Sequence, residues 1–342
     1  MTAPVASPDA KPFERIAVIG AGAWGTALAL LARRAGRACT LWAHQPEVAK
    51  TIAKRHANPD FLPGIDLDRA IAATGDLARA VTGAGAIVLA VPAQFLRGVA
   101  AALRPHAPAG AAVLVCAKGI ERGTLKLMSE VVEDAMLAAP LAVLSGPTFA
   151  AEVARGLPTA VTLAAHDSDL GARLVATIGT TAFRPYLSDD VIGVQIGGAV
   201  KNVIAIACGI VEGRGLGHNA RAALMTRGLA EMMRLGVGLG ARPDTLMGLS
   251  GLGDLALTCN SDQSRNMALG IALGQGLTLS QALAGKRSVA EGIASAESVN
   301  DLARSRAVDM PIVAAVEAIL HRGADIDLTM ATLLARRFTT EA

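Results

Sequence analysis

The stretch that decides the fold is RIAVIGAGAWGTALALLARRAGRACTLW, residues 15–42. Its glycines Gly20, Gly22 and Gly25 have the G-x-G-x-x-G spacing, and they lie between a β-branched run and an alanine- and leucine-rich run that predicts a helix. A second apolar run, Ala38–Leu41, completes a βαβ unit. In such a unit the first glycine permits a tight turn, the second lets the backbone approach phosphates, and the third lets the helix pack on the strand. The free N–H groups and positive end of the helix therefore predict a site for a dinucleotide pyrophosphate.

Length and composition predict a well-buried globular protein. The chain has 342 residues, of which 52% are hydrophobic and 18% charged, enough for two domains. The net charge of +3 is too small to predict a nucleic-acid or membrane partner. No apolar run reaches the roughly 18–20 residues of a membrane span without glycine or charge, so no stable membrane insertion is expected. Residues 1–12 lack the apolar core of a signal peptide, which predicts a short disordered lead and a cytoplasmic protein.

The cysteines and histidines predict neither disulfides nor a metal site. Cys39, Cys116, Cys208 and Cys259 each lie in an apolar run, and no C-x-x-C pair occurs. This pattern favours small buried side chains in a reducing compartment. The histidines are scattered and do not have the spacing of metal ligands.

The pattern of elements predicts an α/β fold: a Rossmann-type doubly wound domain, residues 13–188, followed by an all-α domain, residues 189–342. Strands alternate with helices in the first part, which indicates a parallel sheet covered on both faces. The predicted strands are Ile16–Ile19, Ala38–Leu41, Ala86–Ala90, Ala112–Cys116, Leu141–Leu144, Thr159–Ala164 and Phe183–Leu187, and the helices are Thr26–Ala35, Pro46–Arg55, Ala93–Leu103 and Leu125–Ala135. The later helices are Gly193–Glu212, Asn219–Leu239, Ser264–Gly274, Thr278–Ala284, Ala290–Arg306 and Pro311–Leu320.

Lys201 lies inside the run Gln195–Val211, which is apolar on nearly every side and therefore predicts a buried helix. Burial would lower the pKa of the lysine, as a proton-transfer lysine requires. The alternative is a lysine that reaches solvent at the helix edge. Asp254 lies in LSGLGDLALTC, interpreted as a loop of small and apolar residues, and a buried carboxylate there would need a partner such as Lys201. The alternative is a solvated turn residue.

Further polar residues occupy positions that suit an anionic ligand. Lys118 directly follows a strand, at the edge of the sheet where ligands bind, although it could be an ordinary loop lysine. The cluster Ser264–Asn266 offers a hydroxyl, a guanidinium and an amide at a helix start, which suits a phosphate or, equally, a solvated helix cap. His44 follows the second strand, where NAD-specific proteins often have an acid that binds the ribose hydroxyls, although it could equally be a surface histidine. The segment has no acid until Glu47, so NADP is not excluded.

These residues together make the chain resemble the bacterial NAD(P)-dependent sn-glycerol-3-phosphate dehydrogenases, from about Arg15 to near Arg336. Several long motifs in the same order are far more specific than the glycine loop alone. The motifs are GAGAWGTALA (Gly20–Ala29), AKGIE (Ala117–Glu121), LSGPTFAAEVA (Leu144–Ala154), VQIGGAVKNVIAIACGI (Val194–Ile210), NARAALMTRGLAEM (Asn219–Met232), GLSGLGDLALTC (Gly248–Cys259) and QSRN (Gln263–Asn266).

The resemblance implies that Lys201 is the proton acceptor in oxidation of glycerol 3-phosphate and the donor in reduction of dihydroxyacetone phosphate. It also implies that the protein forms a homodimer and that its product, sn-glycerol 3-phosphate, supplies glycerophospholipid synthesis. Ala23 replaces a serine that many relatives carry, which removes a hydroxyl but leaves the backbone donors. The residues implied to bind NAD(P) are Gly20, Gly22, Ala23, Trp24, Gly25, His44, Lys118, Ala150, Arg265, Val289 and Glu291. Those implied to bind the phosphorylated triose are Lys118, Gly146, Thr148, Lys201, Asp254, Ser264, Arg265 and Asn266.

Two other functions fit parts of the pattern. A two-domain dehydrogenase of the 3-hydroxyacid or 6-phosphogluconate type would share the nucleotide-binding fold and a helical domain with a catalytic lysine, but the QSRN and GLGDLALTC segments argue against it. A nucleotide-sensing module without enzymatic activity would have no need of a buried lysine facing the cofactor.

Overall fold

The computed structural model describes residues 10–136, 139–285 and 290–337. Residues 1–9 of the predicted disordered lead lie outside the described residues, and so does Val289. The described end of the lead packs on the first domain. The Lys11 carbonyl accepts a hydrogen bond from Arg173 Nε at 3.1 Å, and the Phe13 N–H donates to Thr177 Oγ1 at 2.9 Å.

An eight-stranded sheet forms the centre of the N-terminal half, with a two-stranded hairpin beside it. The strands are β1 (Arg15–Ile19), β2 (Ala38–Trp42), β3 (Ala57–Asn58), β4 (Leu62–Asp66), β5 (Ala72–Thr74), β6 (Ala86–Leu89), β7 (Ala112–Val115), β8 (Leu141–Ser145), β9 (Thr159–Ala164) and β10 (Phe183–Ser188). Strands β3 and β4 form the hairpin, and the sheet order is β10-β9-β8-β7-β6-β1-β2-β5. The order reverses between β1 and β6, so the ligand crevice of such a sheet lies at the carboxyl ends of these two strands.

Helices cover both faces of this sheet, which leaves β6 and β7 buried along their whole length. The helices of this half are α1 (Ala23–Arg34), α2 (Pro46–Arg55), α3 (Leu77–Val81), α4 (Leu96–Leu103), α5 (Met128–Met136), α6 (Ala150–Arg155) and α7 (Ser168–Ile178). The predicted helix start at Thr26 is three residues late, because α1 begins directly at the glycine loop. The start predicted at Leu125 is also wrong. That residue has a φ of +59°, and Leu127 pairs with Ile120 in a β-bridge before α5 begins.

The predicted strands are all present, but the sheet is not wholly parallel. Strand β9 runs antiparallel to β8, with Ser145 opposite Thr162. The physical reason is the path of the chain after β8. It forms the short helix α6, which packs on α1 and does not run back along the sheet. Strand β9 therefore begins at the end of the sheet where β8 finished, and it runs in the opposite direction. The strands β3, β4 and β5 were not predicted, because they are short and lack a long apolar run.

The rest of the described chain is helical. Its helices are α8 (Val191–Gly213), α9 (Gly217–Gly238), α10 (Pro243–Leu246), α11 (Asp254–Cys259), α12 (Arg265–Gly274), α13 (Leu279–Leu283), α14 (Glu291–Ser305), α15 (Pro311–His321) and α16 (Ile326–Leu334). Strand β10 ends at Ser188 and α8 begins at Val191, on either side of the domain boundary expected near residue 189. Helix α9 begins at Gly217, two residues before the predicted start at Asn219.

The segment interpreted as a loop, Leu249–Cys259, is instead a π-helical turn, Leu249–Gly253, that continues into α11. Its glycines conceal the helical periodicity in the sequence. They are needed because the turn presses the backbone together: a Cβ at Gly251 would overlap the carbonyl oxygen of Leu246. Asp254 is therefore held on a helix rather than on a mobile loop.

Helix α8 is the core of the helical half. It is long and apolar enough to cross a membrane, but 94% of its most apolar window is buried inside the protein, as in the central helix of a globular domain. Glycines allow α12 to approach it closely. A Cβ at Gly209 would overlap the carbonyl oxygen of Met267, and one at Gly270 would overlap that of Ile206. This approach brings the start of α12 beside the polar residues of α8.

Candidate active site

The glycine loop has the geometry that its spacing predicts. Gly20 has a φ of +115°, its N–H donates to the Trp42 carbonyl at 3.0 Å, and a Cβ there would lie 2.6 Å from the Ala90 carbonyl oxygen. A Cβ at Gly25 would overlap the carbonyl oxygen of Gly20, so only glycine lets α1 pack this closely. Around Gly22, by contrast, a Cβ would meet no described atom within 4 Å. The loop is thus closed on the protein side and open at Gly22.

The start of α1 fits a dinucleotide pyrophosphate. Gly22 is the N-cap, and no side chain caps the helix there. The first turn, which begins at Ala23 and Trp24, therefore presents the backbone N–H groups that every α-helix leaves free. Trp24 is half-buried and packs against the core of the first domain. The fit thus comes from backbone groups, so it does not depend on the serine hydroxyl that Ala23 lacks.

His44, which the resemblance implies to be a cofactor contact, lies just beyond β2. It is exposed, and its ring is tilted against that of Trp42 with centroids 5.8 Å apart. The indole of Trp42 is fixed by its Nε1–H, which donates to the Gly75 carbonyl at 3.0 Å. The segment 43–46 contains no carboxylate that would repel a 2′-phosphate.

Lys201 is buried on α8, as predicted, with 7% of its surface exposed. Its Nζ donates to Asp254 Oδ1 at 2.7 Å and to Thr258 Oγ1 at 2.9 Å. The Thr258 hydroxyl in turn donates to the Asp254 backbone carbonyl at 2.6 Å, so its oxygen faces the lysine as an acceptor. The alternative of a lysine reaching solvent is wrong, and the predicted partnership with Asp254 is confirmed.

Asp254 joins two lysines. It is fully buried, and its second oxygen, Oδ2, accepts from Lys118 Nζ at 2.7 Å. Lys118 also donates to the Gly146 carbonyl at 3.1 Å. Lys118 follows β7 and Gly146 follows β8, whereas Lys201 is on α8. The single carboxylate thus connects the ligand edge of the sheet to the helical half.

The electrostatics of this cluster give Lys201 a pKa that suits proton transfer. Burial lowers the pKa of Lys201 to about 8, the Asp254 carboxylate raises it, and the positive charge of Lys118 lowers it. A lysine with this pKa is mostly protonated at neutral pH and can still release its proton. Glu291, at the start of α14, is half-buried; burial raises its pKa, and the charges of Arg265, Lys118 and Lys201 oppose that shift.

The Ser264–Asn266 cluster lies at the start of α12. Ser264 is the N-cap, and its Oγ accepts from the Met267 N–H at 3.2 Å. The Asn266 side chain links three helices: its Nδ2 donates to Asn202 Oδ1 at 2.9 Å, and its Oδ1 accepts from the Gly292 N–H at 3.0 Å. Arg265 is exposed. Of the three side chains, the Arg265 guanidinium is therefore the one presented to solvent at this helix start.

The remaining predicted residues line the loop after β8. Gly146 has a φ of +147°, and a Cβ there would lie 2.9 Å from the Cα of Val161, so glycine is required. Thr148 Oγ1 donates to the Gly146 carbonyl at 3.2 Å. Ala150 is the first residue of α6 and packs against the core of the first domain. The loop therefore lies beside Lys118, at the same edge of the sheet.

Sequence reasoning did not identify Thr258 or the contact between Asn202 and Asn266 as parts of the site. Thr258 follows Asp254 by four residues, so a helical interpretation of that segment would have placed the two side chains on one face. The described residues contain no group of histidine, cysteine or acidic side chains that could hold a metal ion. All four cysteines are free and buried, as predicted.

The fold and site define a two-domain NAD(P)-dependent dehydrogenase with a buried lysine at the carboxyl edge of its nucleotide-binding sheet. Sequence profiles of NAD-dependent glycerol-3-phosphate dehydrogenase match residues 15–171 (N-terminus) and 190–331 (C-terminus). The chain is 58% identical over 329 residues to a glycerol-3-phosphate dehydrogenase [NAD(P)+] of Rhodospirillum rubrum. The alignment covers 96% of this chain and 94% of the relative. A Caulobacter vibrioides protein with the same name is 57% identical, with coverage of 96% and 99%.

A solved structure gives the same result. The crystal structure of glycerol-3-phosphate dehydrogenase from Coxiella burnetii superimposes with a TM-score of 0.91 at 40% identity, covering 94% of this chain and 99% of that one. The chain therefore belongs to the NAD-dependent glycerol-3-phosphate dehydrogenase family. The predicted resemblance is confirmed, and neither alternative function is supported.

Proposed function

We propose that the chain catalyses the reversible reduction of dihydroxyacetone phosphate to sn-glycerol 3-phosphate. The observation that carries this proposal is the buried Lys118–Asp254–Lys201 cluster at the ligand edge of a dinucleotide-binding sheet. Purified protein should oxidise NADH or NADPH when dihydroxyacetone phosphate is the oxidant, followed as loss of nicotinamide absorbance. Absence of that oxidation with either nucleotide would overturn the proposal.

Lys201 delivers the proton in this reaction. NAD(P)H held at the glycine loop would supply the hydride that reduces C2 of the ketone, and negative charge would then develop on the former carbonyl oxygen. Lys201 Nζ protonates that oxygen, and in the reverse direction it accepts the proton of the C2 hydroxyl. Asp254 and Thr258 hold the amine in place, while Lys118 adds positive charge beside the developing alkoxide.

The phosphate of the substrate is held at the start of α12. The Arg265 guanidinium can bind two of its oxygens, and the helix start adds backbone N–H groups that have no partner within the helix. Ser264 and Asn266 hold the backbone of this helix start in place, because Ser264 caps the helix and Asn266 hydrogen-bonds to Asn202 on α8. Binding the non-reacting end of the substrate fixes the ketone relative to Lys201. Part of the binding energy is thereby used to orient the reacting groups.

Substituting Arg265 with alanine should raise the KM for dihydroxyacetone phosphate by about 10- to 100-fold, because a charge-assisted hydrogen bond contributes about 1.5–3 kcal/mol. The substitution should leave the turnover of unphosphorylated dihydroxyacetone nearly unchanged, which serves as the matched control. Steady-state kinetics with both ketones give the comparison. An unchanged KM for the phosphorylated ketone would remove Arg265 from the phosphate site.

The two directions of the reaction should depend oppositely on pH. Reduction needs protonated Lys201, so its kcat should fall as pH rises through about 8. Oxidation needs the neutral amine, so its kcat should rise over the same interval. Initial rates in both directions from pH 6 to 10 would be measured; parallel profiles would contradict a role for Lys201 in proton transfer.

We also propose the domain limits, assembly and cellular role that the resemblance implies. The nucleotide-binding domain would comprise residues 13–188 and the substrate-binding domain residues 189–342. A homodimer in the cytoplasm would supply glycerophospholipid synthesis. Light scattering during gel filtration would give the mass.

A further inference from the structure

Two buried side chains hold the carbonyl of Ala21, inside the glycine loop. Asn58 Nδ2 donates to this oxygen at 2.8 Å, and Thr26 Oγ1 donates to it at 3.4 Å. Asn58 Nδ2 also donates to Thr26 Oγ1 at 2.9 Å, which closes the network. Asn58 is 1% exposed and Thr26 is fully buried. The Ala21 carbonyl is therefore directed into the protein and away from the ligand side.

The orientation of this carbonyl also sets the direction of the next N–H group. A trans peptide unit is planar, so the Ala21 carbonyl and the Gly22 N–H point in opposite directions. With the carbonyl directed at Asn58, the Gly22 N–H points to the other side of the loop. That side is the open one, because a Cβ at Gly22 would meet no described atom within 4 Å.

The local backbone does little to maintain this orientation. Gly22 has no Cβ, so it can adopt the backbone angles of a flipped peptide at little cost. Gly22 is also the N-cap of α1, and no side chain caps that helix. A flipped Ala21–Gly22 peptide would present a carbonyl oxygen, instead of an N–H group, to a bound phosphate.

Asn58 comes from outside the nucleotide-binding βαβ unit. It ends β3 of the separate hairpin, whose residues Leu62 and Ile65 are buried against the core of the first domain. The Phe61 N–H donates to the Asn58 carbonyl at 3.3 Å, which fixes the backbone of the hairpin at this residue. The hairpin thus serves as a support for the glycine loop.

We propose that Asn58 is a positioning residue for the cofactor: it orients the Ala21–Gly22 peptide so that the Gly22 N–H can donate to the pyrophosphate. The inference rests on the proposed function, since it assumes that the loop binds NAD(P)H. It concerns cofactor affinity and not the chemical step, because within the described part of the chain the Asn58 side chain hydrogen-bonds to the glycine loop and Thr26, and not to the Lys201 cluster or the start of α12.

The test compares variants that remove the donor with a variant that weakens the same domain elsewhere. Asn58→Ala removes both hydrogen bonds, and Asn58→Asp keeps the shape but replaces the donor with an acceptor. Thr26→Val removes the 3.4 Å bond to the Ala21 carbonyl and the bond between Asn58 and Thr26, but it keeps the 2.8 Å bond from Asn58 to that carbonyl. Thr177→Val is the control, because its buried hydroxyl accepts from Phe13 N–H at 2.9 Å and donates to the Arg173 carbonyl at 2.6 Å, away from the loop.

The Kd of each variant for NADH and NADPH would be measured by nicotinamide fluorescence without substrate. We expect Asn58→Ala to raise it by about 10-fold, equivalent to about 1.4 kcal/mol, and Thr26→Val to raise it less. The kcat at saturating cofactor and the KM for dihydroxyacetone phosphate should stay within about twofold. Faster amide hydrogen exchange in the segment 20–28 should accompany the loss of affinity.

An unchanged Kd in folded Asn58→Ala would overturn this inference and leave the proposed function intact. An equal rise in Thr177→Val would also overturn it, since the effect would then be one of general stability. If Asn58→Asp does not fold because it buries a charge, Asn58→Ala and Thr26→Val decide the question. Failure of the wild-type protein to bind either nucleotide would instead overturn the proposed function, and this inference with it.

Discussion

Replacing Lys201 with alanine is expected to lower kcat by about 10²–10⁴-fold, the range that general acid–base catalysis typically contributes. The substitution removes the side chain that we propose as the proton donor, whereas the glycine loop that we assign to cofactor binding is unchanged, so the Kd for NAD(P)H should change by less than about threefold. The fold should tolerate the change, because Asp254 keeps Lys118 as a partner at 2.7 Å. Steady-state kinetics and nicotinamide fluorescence provide the two measurements.

The Lys201→Arg variant distinguishes a role of Lys201 in proton transfer from a role that needs only its positive charge. The guanidinium keeps the positive charge but stays protonated throughout the accessible pH range. If Lys201 transfers a proton, the arginine variant should remain almost as slow as the alanine variant. Recovery of near-normal turnover with arginine would show that positive charge alone is sufficient and would remove Lys201 as the proton donor.

Replacing Asp254 with asparagine is expected to reduce both activity and stability. The variant leaves two lysines close together without their shared carboxylate. Loss of one partner from a buried ion pair typically costs about 3–5 kcal/mol of unfolding free energy. The charge-assisted hydrogen bond that orients Lys201 contributes about 1.5–3 kcal/mol, so kcat should fall by about 10- to 100-fold. Denaturant unfolding and steady-state kinetics check the two effects.

The pH dependence of the reduction rate distinguishes an electrostatic effect of Asp254 on Lys201 from a general loss of stability in Asp254→Asn. The Asp254 carboxylate raises the pKa of Lys201, so its removal should move the fall in reduction rate to lower pH. Thr258→Val is a matched control: it removes the other hydrogen bond to Lys201 but leaves the carboxylate. A profile in Asp254→Asn that coincides with that of the wild type would contradict the assigned electrostatic role.

The sequence predicted the fold where periodicity was strong. The apolar runs that form β1, β2, β6 and β7 are bounded by glycines and helical segments, and each is a strand of the sheet. The failures lie where tertiary packing decides the local structure. The antiparallel β9 follows from the docking of α6 on α1, which no local pattern indicates. The helical turn before Asp254 is concealed by glycines that exist to permit close backbone contact.

The chemistry of the site was partly predictable for a similar reason. An ionisable side chain in a wholly apolar run needs a partner, so the pairing of Lys201 with Asp254 could be inferred from the sequence alone. The sharing of that carboxylate with Lys118 could not, because it depends on how the helical half packs on the sheet. Asn58 was missed because it lies on a short hairpin and supports the glycine loop from behind.

The most direct test of the central claim is the oxidation of NADH and of NADPH by the purified protein, each measured with dihydroxyacetone phosphate and compared with the unphosphorylated ketone. We expect rapid oxidation with the phosphorylated substrate, formation of sn-glycerol 3-phosphate in equal amount, and a much higher KM for dihydroxyacetone. Absence of oxidation with dihydroxyacetone phosphate, together with NAD(P)+ reduction by a 3-hydroxyacid or 6-phosphogluconate, would contradict the assignment.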